Sequence, residues 1–247
     1  MKKQKIIMGM LAVVNIVDKG ATDEDINEVF SYFHYIDNKF STYKENSEVS
    51  QINRRELKKS QYSSEMKKIL FLSEKTKKET NGYFDIHING ILDPSGIVKG
   101  YAIFEVAKIL KNKGFQNFYV EIAGDIQVFG KNEKKENWKI GIQNPFNLKE
   151  IIKIVSLNDK GVATSGTYIR GSHIINPKEK KTANEIAGIT VIGPNVYEAD
   201  RFATAAFAMG KKGIEFIEGL KGFEGYLIQN DKKAVYTSGF ENYVLLN

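Results

Sequence analysis

The stretch FYVEIAGDIQVFGKNEKKENWKIGI, residues 118–142, decides the fold class of this chain. Apolar and polar residues partly alternate in it over 118–122, 126–129 and 138–142, and such alternation predicts short β-strands. The lysine-rich segment 130–137 is predicted to join the last two of these strands as a hairpin tip. The strand pattern continues downstream at 151–157, 161–165, 172–175 and 188–192.

Helices are predicted on both sides of this block of strands. Apolar residues recur at helical spacing over 22–40, 63–80 and 95–113 before it, and over 196–209 and 212–220 after it. A last hairpin is predicted from 225–229 and 234–237. Strands and helices come in blocks, so we expect an α+β fold with a mainly antiparallel sheet flanked by helices. No linker or repeat divides the chain, and one domain over 1–247 is expected.

The first 17 residues have two explanations. A basic start followed by an apolar run over 6–17 resembles the first two parts of a secretory signal. However, Asn15 interrupts the run and no small-residue cleavage site follows it. A buried strand that ends in the turn at 18–20 accounts for the same residues, and we favour it.

The composition excludes several kinds of chemistry. The 247 residues contain no cysteine, which excludes disulfides, thiolate metal sites, iron–sulfur clusters and cysteine nucleophiles. The formal net charge of +6 comes mainly from lysine clusters without interleaved arginine and aromatic residues, which are typical of solvated surface. We therefore expect oxygen and nitrogen groups to do the chemistry, and we expect no nucleic-acid partner.

Three polar segments are candidates for a site. The first is the segment 93–100, DPSGIVKG. It is either a pyrophosphate-binding site at a helix N-terminus or an ordinary helix cap with Lys99 pointing into water. Asp200 and Thr204 share a helix face, where they either bind Mg²⁺ or have only local structural roles. In segment 163–177, His173 is either a general base or a hydrogen-bonded structural residue.

Taken together, these segments resemble the ApbE-type FAD:protein FMN transferases. The resemblance covers nearly the whole chain, because further stretches occur in the order found in that family: 8–9, 40–43, 47–53, 81–86 and 120–126. It implies an ApbE-like, T-fold-like architecture of two closely packed lobes with the FAD site between them. It also implies Mg²⁺-dependent transfer of FMN from FAD, the substrate, to a Ser or Thr hydroxyl of an acceptor flavoprotein, with release of AMP.

The resemblance also implies roles for particular residues. Positions that line FAD in the family correspond to Met8, Tyr43, Tyr83, Phe84, Asp85, Asp93, Lys99 and Ile175. Metal-ligand positions correspond to Gly96, through its carbonyl, Asp200 and Thr204, with Mn²⁺ as the alternative cation. His173 corresponds to the proposed base and, with Asp200, forms the expected catalytic pair.

The chain departs from the family pattern at three places. Asp85 and Asp93 are only eight positions apart, where many relatives have a longer connection. Ala203 stands where some relatives have a further acid, and Asn176 replaces the usual Asp before Pro177.

The N-terminal sequence bears on where in the cell the protein is expected. Many relatives are lipoproteins anchored through a cysteine, whereas this chain has none and carries the family's Met-Gly pair inside the apolar run, at Met8 and Gly9. These features predict a cytoplasmic enzyme without a membrane anchor.

Two further functions remain open at this point. One is a Mg²⁺-dependent FAD pyrophosphatase, in which water replaces the protein hydroxyl and the products are AMP and FMN. The other is a non-catalytic FAD-binding protein that has kept the site and lost the transfer.

Overall fold

A computed structural model of the protein describes residues 1–167 and 174–245. The α-helices in these residues are α1 (Asp23–Phe40), α2 (Glu48–Asn53), α3 (Ser64–Glu79), α4 (Ser95–Asn112), α5 (Val196–Ala208) and α6 (Gly213–Glu218). The strands of the first half are β1 (Lys2–Ile7), β2 (Met10–Ile16), β3 (His87–Ile88), β4 (Ile91–Leu92), β5 (Phe118–Ile122) and β6 (Asp125–Phe129). Those of the second half are β7 (Trp138–Asn144), β8 (Asn147–Leu157), β9 (Gly161–Gly166), β10 (Ile175–Asn176), β11 (Lys181–Thr182), β12 (Ile186–Gly193), β13 (Glu224–Gln229) and β14 (Ala234–Tyr236).

Eight of the described strands form one antiparallel sheet. Their order is β1-β2-β5-β6-β9-β12-β13-β14, so strands that are distant in the chain meet at the centre. The pairs β3–β4, β7–β8 and β10–β11 form separate two-stranded sheets. The predicted α+β class, with a mainly antiparallel sheet flanked by helices, is confirmed.

The two faces of the sheet pack against different partners. On one face, Val120 and Phe118 of β5 are fully buried in a cluster that includes Phe33 of α1 and Ile103 of α4. On the other face, the Tyr119 ring lies 5.5 Å from the Trp138 ring of β7, measured between ring centroids. Successive residues of β5 therefore point to opposite faces of the sheet. Helices cover one face, and the β7–β8 pair covers the other.

The N-terminal segment forms a hairpin. The prediction of a single strand over 6–17 is wrong, because Met8 and Gly9 have φ angles of +53° and +71° and reverse the chain between β1 and β2. Two consecutive residues with positive φ make a tight hairpin turn that matches the twist of the strands. β2 is buried beside β5, and β1 forms an exposed edge that carries Lys2, Lys3 and Lys5.

The predicted hairpin at 130–137 is also wrong. β6 pairs with β5 on one side and with β9 on the other, so both of its hydrogen-bonding edges are occupied. The chain after β6 must therefore leave the sheet, and β7 pairs with β8 instead. The hairpin at the end of the chain, β13 with β14, is confirmed.

Several short elements were not predicted, because their few residues show no clear period. They include α2, which Ser47 caps by accepting a hydrogen bond from the Ser50 N–H at 3.0 Å, and the β3–β4 pair. Of the strand predicted at 172–175, residues 172 and 173 lie outside the described residues, and β10 begins at Ile175. Within 1–167 and 174–245, none of the helices combines the length and the apolar character that crossing a membrane would require.

The packing predicts a contrast between two phenylalanines. Phe33 is 0% exposed on α1, whereas Phe71 on α3 is 70% exposed. Phe33→Ala should lower the free energy of unfolding by about 3–5 kcal/mol because it leaves a core cavity. The same change at Phe71 should cost less than about 0.5 kcal/mol. Urea unfolding of both variants measures the difference, and equal losses would contradict this description of the core.

Candidate active site

Two adjoining cavities lie where α4 begins. Both include Asp93, Ser95 and Lys99 in their walls. The first cavity is further lined by the segments 83–86 and 164–166, and the second by the β1–β2 turn and the segment 40–44. The shared wall makes the two cavities one groove with a lysine at its middle.

The predicted site residues come together in this groove. The first cavity is lined by Tyr83, Phe84, Asp85, Asp93, Gly96, Lys99, Ile175, Asp200 and Thr204, and the second by Met8, Tyr43, Asp93 and Lys99. Tyr43 stands at the rim, since 97% of it is exposed. His173 lies outside the described residues, and its proposed role as a base stays a prediction. Residues from six separate parts of the chain thus meet at one place.

The start of α4 is capped only in part. Pro94 occupies the cap position and supplies no side-chain hydrogen bond, while Asp93 Oδ1 accepts one from the Ser95 N–H at 3.0 Å. The Asp93 N–H in turn donates to the Ile86 carbonyl at 2.7 Å, which ties the turn to the segment after α3. Asp93 therefore holds the helix start in place as well as lining both cavities.

Lys99 points inward. Its Nζ lies 2.7 Å from Asp125 Oδ2, and only 17% of its side chain is exposed. The alternative that Lys99 is an ordinary solvated lysine is therefore wrong. An ammonium at this depth requires an anionic partner, because desolvation of an unpaired charge is costly.

Asp125 is the residue that sequence reasoning missed. It is 1% exposed and begins β6 directly after the turn at Ala123 and Gly124, whose φ angles of +49° and +87° close the β5–β6 hairpin. Asp125 Oδ1 accepts a hydrogen bond from the Thr164 N–H of β9 at 3.2 Å. The available signal was an acidic residue at the first position of a strand whose other residues are apolar or buried.

Asp200 faces the same point from α5. It is 5% exposed, and its Oδ2 accepts a hydrogen bond from the Gly100 N–H of α4 at 2.8 Å. Burial raises the pKa of Asp200 well above its usual range, and the neighbouring Asp125 carboxylate raises it further, while Lys99 and the Gly100 N–H oppose the shift. Two buried carboxylates thus lie near one ammonium, which forms its ion pair with Asp125.

Two glycines allow α4 and α5 to approach this closely. A Cβ at Gly100 would lie 2.6 Å from Asp200 Cβ and 2.9 Å from the Val196 carbonyl oxygen. A Cβ at Gly96 would lie 3.1 Å from Thr204 Cγ2. In the actual structure the Thr204 hydroxyl donates to the Gly96 carbonyl at 3.4 Å. The glycines therefore set the spacing of the groups that were predicted to bind a metal.

The donor set fits a hard divalent cation. Asp200 offers a carboxylate, Thr204 a hydroxyl and Gly96 a carbonyl, which are oxygen ligands of the type that Mg²⁺ takes. Asp125 Oδ2 is buried and makes no hydrogen bond of good geometry, but it forms the ion pair with Lys99. Within the described residues no cluster of three acidic, His or Cys side chains surrounds a point, so water and substrate oxygens would complete the coordination of a cation.

The remaining predicted residues form the walls. Asp85 Oδ2 lies 2.7 Å from Lys77 Nζ, and the Lys178 ammonium lies 4.2 Å from the centre of the Tyr83 ring. Asn176 Oδ1 accepts a hydrogen bond from the Lys178 N–H at 3.0 Å, so the residue that replaces the family's Asp still shapes the turn. Ala203 is fully buried in an apolar cluster and does not line the first cavity.

The sequence profile of the ApbE family matches residues 8–93 and 89–227, and the chain belongs to this family. Among curated relatives, the FAD:protein FMN transferase of Haemophilus influenzae is 34% identical over 139 residues, 51% of this chain and 40% of the relative. The FAD:protein FMN transferase of Vibrio cholerae is 33% identical over 131 residues, 49% of this chain and 39% of the relative. The matched region thus spans about two fifths of these relatives.

Solved structures share the fold at lower identity. The flavin transferase ApbE from Vibrio cholerae superposes with a TM-score of 0.86 at 21% identity, over 98% of each chain. The ApbE protein from Thermotoga maritima gives a TM-score of 0.88 at 20% identity, over 100% of this chain and 99% of the other. The fold is therefore that of the ApbE proteins.

The close approach at Gly100 is testable. Gly100→Ala should push α5 from α4, which should lower the free energy of unfolding by about 1–3 kcal/mol and loosen the Asp200 hydrogen bond. Gly219→Ala is the matched control, because its Cβ would meet only ordinary contacts at 3.5 Å or more. Thermal unfolding of both variants measures the effect. If Gly100→Ala is as stable as Gly219→Ala, then α4 and α5 can accommodate a methyl group at this contact.

Proposed function

We propose that the protein transfers FMN from FAD to a Ser or Thr hydroxyl of a target flavoprotein and releases AMP, with Mg²⁺ bound beside Asp200. The observation that carries this proposal is the meeting of Lys99, Asp200, Thr204 and Gly96 in the first cavity, with Lys99 also in the wall of the second. The curated relatives named FAD:protein FMN transferase support the same activity.

The groove suits a dinucleotide. FAD has two ring systems joined by a pyrophosphate, and the two cavities meet at a lysine. The first cavity offers Tyr83, Phe84 and Ile175 as apolar and aromatic surface for a ring. With the pyrophosphate at the shared wall, Lys99 would lie beside its oxygens and supply a positive charge.

The transfer requires charge neutralisation and positioning. The acceptor hydroxyl oxygen forms a bond to the phosphorus of the FMN half, the bond from that phosphorus to the bridging oxygen breaks, and AMP leaves with the electron pair. When bound, Mg²⁺ would neutralise charge on the pyrophosphate. Lys99 would hold the phosphates, while Asp200, Thr204 and the Gly96 carbonyl would hold the cation.

The hydroxyl proton needs an acceptor. His173, as the resemblance implies, would take it, because an imidazole has a pKa near neutral pH. Mn²⁺ has the same preference for oxygen ligands and would serve in place of Mg²⁺. The acceptor would be a flavoprotein with an accessible Ser or Thr in a flavinylation motif.

The reaction is tested by incubating the protein with FAD and Mg²⁺, with and without an acceptor carrying such a motif. Covalent FMN on the acceptor together with AMP is the expected result. AMP with free FMN in both arms would show hydrolysis instead of transfer. Binding of FAD without turnover would show a non-catalytic FAD-binding protein.

Asp200→Asn should reduce turnover at least about a hundredfold, because the neutral amide no longer holds a cation beside the phosphates. The matched control is Asp18→Asn, since the Asp18 carboxylate accepts hydrogen bonds from the Gln116 and Asn117 N–H groups outside both cavities. Rates of AMP release for the two variants, compared below their melting temperatures, check this assignment. Full activity of Asp200→Asn would remove Asp200 from the metal site.

A further inference from the structure

The groove contains a charge arrangement that phosphate binding alone does not require. Asp125 is 1% exposed and Asp200 is 5% exposed, and they come from two different elements, β6 and α5. The ammonium of Lys99 lies 2.7 Å from Asp125 Oδ2. In the ionised form that would bind a cation, the two carboxylates and the ammonium together carry one negative charge in excess, in surroundings of low dielectric constant.

The backbone holds both carboxylates in fixed positions. The Thr164 N–H donates to Asp125 Oδ1 at 3.2 Å, and the Gly100 N–H donates to Asp200 Oδ2 at 2.8 Å. The lysine is less constrained, because a flexible four-carbon stem carries its ammonium. The carboxylates are therefore the fixed part of the cluster, and the ammonium is the exchangeable part.

We propose that the Lys99 ammonium is the resident counter-ion of the Asp125–Asp200 pair and that a divalent cation competes with it for these carboxylates. The inference rests on the proposed function in placing the cation beside Asp200. Asp125 then acts in two ways: its charge favours the cation, and it holds Lys99 until the cation arrives. A cation at Asp200 repels the ammonium, which leaves Lys99 available to the phosphates at the shared wall.

The signs of the effects follow from Coulomb's law. Removing the Lys99 charge removes a competitor, so Lys99→Met should bind the cation at least about tenfold more tightly in the absence of FAD. Removing the Asp125 charge weakens the attraction, so Asp125→Asn should bind it at least about tenfold more weakly. A lysine acting only on phosphate would leave cation affinity without FAD unchanged.

The measurement is Mn²⁺ binding to the full chain without FAD, followed by the electron paramagnetic resonance signal of free Mn²⁺. Lys99→Met keeps the aliphatic stem, and Lys99→Gln removes the charge a second way. Lys108→Met is the control, because Lys108 lies on the same helix and pairs with Glu105 at 2.6 Å outside both cavities. Thermal unfolding of each variant shows that it is folded.

The double variant tests whether the two residues act together. In the Asp125→Asn background the ammonium has lost its partner, so adding Lys99→Met should change the Mn²⁺ dissociation constant by a smaller factor than in the wild type. An equal factor in both backgrounds would show that the residues act independently and would overturn the proposal.

The remaining outcomes separate this inference from the proposed function. If folded Lys99→Met and Lys99→Gln both bind Mn²⁺ no more tightly than the wild type, the competition is refuted, even where the wild type transfers FMN. If both bind Mn²⁺ more tightly while the wild type yields no AMP from FAD, the competition stands and the proposed function is wrong.

Discussion

The contact between α4 and α5 at Gly100 is the constraint on which the site depends. Only a residue without a side chain allows Asp200 to accept a hydrogen bond from the α4 backbone at 2.8 Å. One turn earlier on α4, Gly96 allows the same closeness to Thr204. Because both helices pack on one face of the main sheet, their spacing also sets the distance from Asp200 to Asp125 on β6.

Both helices pack on the main sheet, and polar residues of α5 bind it to neighbouring elements. Arg201, 2% exposed, donates to Glu198 at 2.8 Å through its Nε and to the Thr76 hydroxyl of α3 at 3.2 Å, and it also pairs with Glu79. The Val196 N–H at the start of α5 donates to the Gln127 side chain of β6 at 2.8 Å. The helix that carries Asp200 is thus tied to α3, to α4 and to the strand that carries Asp125.

Buried charge is the cost of this arrangement and also the basis of its chemistry. Burial and the neighbouring Asp125 carboxylate make the ionised form of Asp200 unfavourable and raise its pKa, and the Lys99 ammonium offsets only part of that effect. We therefore expect a site with two backbone-held carboxylates and one lysine ammonium to respond strongly to added positive or negative charge. In the proposed reaction, FAD and a divalent cation would supply these two kinds of charge.

The sequence by itself determined the fold class, most helices and strands, and the set of candidate residues, because these follow from local periodicity and from motifs whose residues are neighbours in the chain. It did not show that Met8 and Gly9 turn the first strand back, because that depends on the positive φ angles of these two residues. It also did not show that β7 leaves the sheet, since that depends on which strand edges are already paired. Only the tertiary structure decided that Lys99 points inward to Asp125. The two residues are 26 positions apart, one on a helix and one on a strand. No local sequence pattern shows that both are buried, and burial is the reason that each charge requires a partner of opposite sign.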